Sequence, residues 1–196
     1  MTKRIIHARI HKIQRPELSS QLSKIFATTV DKVSYLTKKA DLDGSGWRCI
    51  IEYVVKDDNS SETEIAYLDF AGPNGEGHNC AVAKLQTLKN HPEYFATGSI
   101  PEELLAESEK KWLGGISIPF SCIIFGRNDD TAVCDTGFLR VAFSGAQETT
   151  DAFVAIYAAR VFRDALAEQF PEECCTFDLD VLKHTETGRI AQLFIG

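Results

Sequence analysis

One stretch decides the fold, because it joins a strand to a helix through one tight turn. It is Phe138-Leu139-Arg140-Val141-Ala142-Phe143-Ser144-Gly145-Ala146-Gln147-Glu148-Thr149-Thr150-Asp151. Residues 138–143 are mostly apolar or aromatic, which is typical of a strand. The polar residues 144–147 form the predicted turn. Residues 149–170 then carry apolar side chains at helical spacing. These are Phe153, Ile156, Tyr157, Val161, Phe162 and Leu166.

The remaining segments predict an antiparallel sheet with helices packed on it, which is an α+β architecture. Further strands are predicted at residues 4–13, 47–55, 64–70, 120–125 and 132–134, with a closing hairpin at 176–183 and 189–195. Further helices are predicted at residues 17–39, 78–90 and 101–112. In the first strand, alternation places one apolar and one polar set on opposite faces. The sets are Ile6, Ala8 and Ile10 against His7, Arg9 and His11.

The bulk composition describes one compact domain. A chain of 196 residues with 44% apolar residues is long enough to bury one core, so we treat residues 1–196 as a single domain. The formal charge of −7 argues against nucleic acid as a partner, because phosphate binding depends on clustered Lys and Arg. No apolar run approaches the roughly 18 residues that span a bilayer, and residues 1–7 lack the apolar core of a signal peptide. We therefore expect a cytoplasmic protein with no membrane partner.

Two patterns resemble metal or redox sites, and the sequence argues against both. The oxygen spacing of a calcium loop is present in Asp41-Leu42-Asp43-Gly44-Ser45-Gly46 together with Glu52. The exit side of that loop, residues 50–55, is β-branched and strand-like, so we predict a Gly-rich turn from a helix to a strand instead. The six cysteines have no Cys-x-x-Cys spacing, and we expect reduced, mostly buried thiols, including the neighbours Cys174 and Cys175.

The turn at residues 144–147 has two interpretations. It leads into a helix whose first N–H groups are unpaired, which would suit a phosphate or a carboxylate. Glu148 and Asp151 would repel such an anion but can cap the backbone. Capping is therefore the favoured role.

Four motifs follow one another in a recognisable pattern: Ala81-Val82-Ala83-Lys84-Leu85-Gln86-Thr87, a glycine turn Gly114-Gly115-Ile116-Ser117-Ile118-Pro119, the strand ending in Ser144-Gly145, and Asp151 with its Ala-rich helix. Together they resemble the GlcG/HbpS-like family, which is described as haem-binding or haem-degrading and includes the C-terminal domain of PduO-type proteins. The resemblance covers residues 20–170, and it implies the profilin-like variant of the α+β plan. Residues 1–15 and 175–196 then extend the sheet.

The resemblance implies a ligand pocket between the Gly114 turn, the Ser144 turn and the second helix. Close backbone approach gives a physical reason for Gly114 and Gly115. Lys84 matches the family lysine and could pair with a propionate or carboxylate, although a solvated helix lysine is an open alternative. His78 could supply an axial ligand to haem iron, or it could be an inert surface histidine. The implied ligand-binding set is His78, Lys84, Gly114, Gly115, Ser144, Gly145 and Asp151.

The predicted function is binding of a small ligand, either haem or another planar or carboxylate-bearing molecule. Departures from the family pattern, such as the widened Gly114–Pro119 turn, leave the identity of the ligand and any cofactor open. An enzyme that uses Asp69, His78 or Asp151 as a general acid or base is the first alternative. A structural or regulatory module is the second. Family members assemble into oligomers, which implies a homo-oligomer with Trp112 and Phe120 as apolar interface candidates.

Overall fold

The computed structural model of the chain describes residues 4–10, 16–56, 61–109, 113–122, 135–170 and 175–177. The strands are β1 Arg4–Ile10, β2 Arg48–Lys56, β3 Glu62–Ala71, β4 Gly115–Cys122, β5 Asp135–Ser144 and β6 Cys175–Phe177. The helices are α1 Pro16–Lys39, α2 Asn79–Asn90 and α3 Glu148–Gln169. The strands form one antiparallel six-stranded sheet in the order β1-β3-β2-β5-β4-β6. The predicted α+β class is confirmed, while the profilin-like variant stays a prediction.

The main core lies between one face of the sheet and the two long helices α1 and α3. Alternate residues of β2 point into it, because successive strand residues face opposite sides of a sheet. Tyr53 is fully buried there and stacks on Phe120 with ring centroids 4.6 Å apart. Both helices bury an apolar stripe there, although Phe153 and Tyr157 of the predicted α3 stripe are only partly buried. The buried members are Leu22, Ile25, Phe26, Val30, Val33, Ile156, Val161, Phe162 and Leu166.

The opposite face of the sheet has a smaller apolar cluster under α2. Ile50 and Ala142 of the sheet pack there against Ala81 and Leu85 of the helix. This face of the sheet is covered by α2, which is 12 residues long. The other face is covered by α1 and α3, which are 24 and 22 residues long. The α2 side of the sheet therefore presents more polar side chains than the main core does.

Trp47 fixes the entry into β2. Its indole Nε1–H donates to Asp43 Oδ1 at 2.9 Å, and its ring stacks on Phe143 with centroids 6.0 Å apart. Asp41 has a φ of 56°, in the left-handed region, which turns the chain from α1 into the strand. A strand follows the loop, and Glu52 is held within that strand by other side chains. The predicted turn from a helix to a strand is therefore confirmed.

Two sequence predictions in the region before β5 were wrong. The Gly114–Pro119 segment was predicted as a turn, but β4 begins at Gly115, because Ser117 N–H donates to Phe95 O at 2.9 Å and β5 pairs along the other edge. The predicted helix at 101–112 is, in its described part, a 3-10 turn at Glu102–Leu104 followed by irregular chain. None of the three residues of that turn is buried, so no apolar face holds a longer helix to the core.

Other predictions differ in extent or lie outside the described residues. The first strand ends at Ile10 instead of residue 13, and a register shift between Ile5 and His7 interrupts its alternation. Of the closing hairpin only β6 is described, and it pairs with β4. His11, Trp112, the strand at 132–134, the rest of the hairpin and the side chains of Cys174 and Cys175 lie outside the described residues. None of the described helices is both long and apolar enough to cross a membrane.

Candidate functional site

The two glycine turns and helix α2 meet at one end of the sheet. Gly115 pairs with Ala142, and the Phe143 N–H donates to Gly114 O at 2.8 Å, which sets the Gly114 turn beside the turn that follows Ser144. From α2, Lys84 Nζ reaches the same place and donates to Phe143 O at 2.8 Å. The three segments that the sequence pointed to are therefore neighbours. We call this place the glycine junction and define it by Lys84, Gly114, Gly145 and Asp151.

A buried ion pair fills the glycine junction. Lys84 Nζ lies 2.7 Å from Asp151 Oδ2, and the two side chains are 2% and 4% exposed. The other carboxylate oxygen, Oδ1, accepts the Ala146 N–H at 2.9 Å. Burial raises the pKa of Asp151, while the charge and hydrogen bond of Lys84 act in the opposite direction. The carboxylate thus ties the turn before α3 to helix α2, which agrees with the structural role favoured for it.

Close packing at the junction leaves no room for side chains at its glycines. Gly114 has a φ of 102°, and a Cβ there would lie 2.7 Å from Asp151 Cβ and 2.9 Å from Lys84 Nζ. A Cβ on Gly115 would lie 2.6 Å from Thr97 Cγ2. The close backbone approach expected of this pair is present. The backbone at these glycines lies directly against the side chains of the junction and does not border a solvent-filled gap. Ser144 is also buried.

Asp69 belongs to a different contact. Arg48 Nε donates to its Oδ1 at 2.9 Å, and Arg48 Nη2 donates to its Oδ2 at 2.6 Å. The hydrogen bonds from Arg48 to Asp69 raise the pKa of the guanidinium. Both oxygens of this buried carboxylate are engaged by one bidentate partner, which is the strongest geometry for such a pair.

His78 lies apart from both carboxylates. It is the half-buried N-cap residue of α2, and its N–H donates to Gly75 O at 3.0 Å. It precedes Lys84 by six residues, which corresponds to about 9 Å along a helix axis. Among the described side chains, no carboxylate forms a hydrogen bond or ion pair with the His78 imidazole. The three acid–base candidates therefore do not form one constellation.

A second polar group lies on the α2 side of the sheet, and the sequence did not reveal it as a site. Strand register places Arg9, Tyr67, Glu52 and Arg140 side by side across four adjacent strands. Directly opposed residues in a sheet share a face. Glu62 at the start of β3 and Lys89 of α2 complete the group through contacts with this row. We call it the polar ledge and define it by Arg9, Glu52, Glu62, Tyr67, Lys89 and Arg140.

Arg140 is the centre of the polar ledge. Its Nη1 donates to Glu52 Oε2 at 3.2 Å and to Glu62 Oε2 at 2.7 Å, and its Nη2 donates to Glu62 Oε1 at 2.5 Å. Lys89 Nζ lies 2.5 Å from the other oxygen of Glu52. Burial acts to lower the pKa of Arg140, but the two carboxylates outweigh it and the pKa is raised. The hydrogen bond from Arg140 in turn lowers the pKa of Glu62.

One donor of Arg140 is buried without a partner. The Nε atom is inaccessible to solvent and makes no hydrogen bond with any described residue. A buried N–H left unpaired costs about 1–3 kcal/mol, so such groups are rare in proteins. The charged groups around the guanidinium are partly exposed, because the side chains of Glu62 and Lys89 are 33% and 36% exposed.

Aromatic and cationic side chains flank this centre. The Arg9 guanidinium lies 4.6 Å from the ring centroid of half-buried Tyr67, and Arg9 also pairs with Glu64 at 3.0 Å. On the other flank, Lys56 Nζ lies 4.4 Å from the ring centroid of Phe138. Cations stacked on aromatic rings form surfaces that suit planar, negatively charged groups.

The sequence held one signal for the polar ledge. Glu52 lies between Ile51 and Tyr53, and Arg140 lies between Leu139 and Val141, so each is a charged residue in an otherwise apolar strand. Alternation assigns both to the face opposite the main core, and charges buried in proteins are paired. Only the register of β2 against β5 reveals that these two residues are opposite each other.

The described residues contain no cluster of three or more His, Cys, Asp or Glu side chains that could hold a metal ion. They also do not fit a haem at the glycine junction. Lys84 is already committed to Asp151 and to a backbone carbonyl, and the candidate axial ligand His78 is several ångströms away along α2.

Known proteins do not assign this chain to a family. No protein family model, no curated protein and no solved structure matches it. The resemblance to the GlcG/HbpS-like family rests on the sequence motifs and stays a prediction.

Proposed function

We propose that this chain is a small-ligand-binding protein, of the general kind that the sequence resemblance implies, and that its ligand carries a carboxylate. We place the binding site at the polar ledge. The observation that carries the proposal is the buried Nε–H of Arg140, which has no partner among the described residues and lies in a cluster whose Glu62 and Lys89 side chains are partly exposed. A guanidinium in this setting is suited to a carboxylate, which accepts two parallel N–H bonds.

The polar ledge is a better candidate than the glycine junction. A ligand centred at the junction would have to displace Asp151 from Lys84, and separating a buried ion pair is strongly unfavourable. At the ledge, by contrast, two of the charged side chains, Glu62 and Lys89, are partly exposed. Half-buried Tyr67 adds aromatic surface for a planar ligand.

No observation favours the enzyme alternative. A general base needs a lone pair that can accept a proton from the substrate. Asp69 already accepts two hydrogen bonds from Arg48, and Asp151 accepts from Lys84 and from Ala146. Each carboxylate serves as the partner of a cation, buried Lys84 for Asp151 and partly buried Arg48 for Asp69, which is a structural role.

A thermal-shift screen tests the proposal directly. Small carboxylates and their neutral amide analogues, paired by shape, would be compared at equal concentration. A ligand at 100 times its Kd stabilises the native state by about 2.7 kcal/mol, so binding appears as a rise in Tm. We expect carboxylates to raise Tm and the amides to leave it unchanged. If no carboxylate in the panel raises Tm, the binding proposal fails and the structural-module alternative gains support.

A matched variant controls for nonspecific anion effects. Arg163 lies on α3, pairs with its neighbour Asp164 and is remote from the polar ledge. Arg163→Gln should keep the full response to carboxylates. A cytoplasmic location and assembly into a homo-oligomer belong to the same proposal, and light scattering on the purified chain would measure the assembly.

A further inference from the structure

The hydrogen-bond inventory of Arg140 identifies which part of the guanidinium is left for a ligand. An arginine side chain has five N–H donors, two on each terminal nitrogen and one on Nε. Both donors of Nη1 and one donor of Nη2 are directed to Glu52 and Glu62. The remaining two, on Nε and Nη2, lie along one edge of the planar group. That edge is one of the two on which a guanidinium binds a carboxylate bidentately.

Glu62 occupies the other such edge. Its two oxygens accept from Nη1 and Nη2, in the end-on fork, at 2.7 and 2.5 Å. It is also the most exposed acidic group of the cluster, because its side chain is 33% exposed whereas that of Glu52 is 2% exposed. Glu62 therefore already supplies a carboxylate to the guanidinium that would attract the carboxylate of a ligand.

The net charge of the cluster determines how favourably it accepts a further anion. Arg140 and Lys89 are positive, and Glu52 and Glu62 are negative, so the four groups together are neutral. A bound carboxylate would leave a net negative charge in a largely buried place. Without the charge of Glu62, the same carboxylate would bring the cluster to neutrality.

We propose that the edge of Arg140 formed by Nε and Nη2 binds the carboxylate of a small planar ligand, and that Glu62 is a built-in competitor that weakens this binding. This inference rests on the proposed function. It adds that Arg140 Nε and Nη2 bind the carboxylate of the ligand and that Glu62 lowers the affinity for that carboxylate. Glu62→Gln keeps the shape and removes the charge, so it is expected to bind the carboxylate more tightly.

The test uses the nitrogen-15 spectrum of arginine Nε–H groups in the full chain, with benzoate as the probe and benzamide as its neutral counterpart. Arg140→Lys identifies the Arg140 resonance by its loss, and correlation of Nε with the side-chain carbons identifies it independently if that variant does not fold. We expect benzoate to shift this resonance and benzamide to leave it in place. We expect Glu62→Gln to lower the Kd for benzoate about tenfold. Glu168→Gln, at an exposed position of α3 on the other face of the sheet, is the matched control and should leave the Kd unchanged.

The outcomes separate this inference from the proposed function. An Arg140 Nε–H resonance that does not respond to benzoate overturns the inference, and a cross-peak to a bound water there would identify water as the partner. If benzoate instead shifts backbone amides elsewhere while Arg140 is unaffected, ligand binding stands and this site is wrong. Equal affinities of Glu62→Gln and Glu168→Gln overturn the role of Glu62. If no resonance responds to any carboxylate of the panel, the proposed function fails as well.

Discussion

The ammonium of Lys84 and the carboxylate of Asp151 lie 2.7 Å apart, although the two residues are separated by 67 positions in the sequence. Both side chains are almost fully buried. The pair connects α2 with the first turn of α3 and, through the carbonyl of Phe143, with the end of β5. Two helices from opposite faces of the sheet are thus tied together at one point.

Removal of one partner of this pair should be strongly destabilising. Asp151→Asn leaves the Lys84 ammonium buried without a counter-charge, and the loss of one partner of a buried pair typically costs about 3–5 kcal/mol. We expect the free energy of unfolding, measured by urea denaturation, to fall by that amount. The double variant Lys84→Met with Asp151→Leu removes both charges and should recover most of the loss. A single variant that unfolds at the same urea concentration as the parent would contradict this role.

Substitution of Gly114 should destabilise the chain through sterics and backbone strain. A Cβ at this position meets three atoms closer than 3.0 Å, at a φ of 102° that other residues rarely adopt. Strain of this kind costs about 1–3 kcal/mol before any clash is added. We expect Gly114→Ala to lower the unfolding free energy by at least that much. Gly44 is the matched control, because a Cβ there meets nothing within 4 Å, and Gly44→Ala should be close to neutral.

Glu109 should make stability depend on pH in the acidic range. Hydrogen bonds from Asn90, the Ala106 N–H and His91 lower its pKa from 4.5 to about 2. Because the folded-state pKa is below the unfolded one, the contribution of Glu109 is fully present above about pH 4.5 and is lost as pH falls toward 2. Thermal melts between these values should show a steeper loss of Tm in the parent than in Glu109→Gln. Parallel curves for the two proteins would show that Glu109 is not a source of acid sensitivity.

Haem should not bind at the glycine junction. Lys84 is engaged by Asp151, and His78 is not adjacent to that pair. An absorbance titration with haem is therefore expected to give no Soret shift that depends on His78, so that the parent and His78→Ala titrate alike. A shift that disappears in His78→Ala would contradict this prediction and would restore the axial role that the sequence resemblance implied for His78.

Part of the fold was predictable because its signals are local. The stripes of α1 and α3 and the strands β2, β3 and β5 follow from spacing over a few residues. The start of β4 was not predictable in this way, because a Gly-Gly pair reads as a turn. Its strand conformation depends on β5 along one edge and on the Phe95 carbonyl at the other.

The sequence by itself determined the α+β class and the two long helices of the main core. Tertiary structure alone decided that Lys84 and Asp151 fill the place where the glycine turns and helix α2 meet, and that Glu52, Glu62, Lys89 and Arg140 form one cluster. The physical reason is the sequence separation over which each kind of interaction acts. Periodicity is set by neighbours along the chain, whereas an ion pair between Arg140 and Glu62, 78 positions apart, exists only once strand register has brought them together.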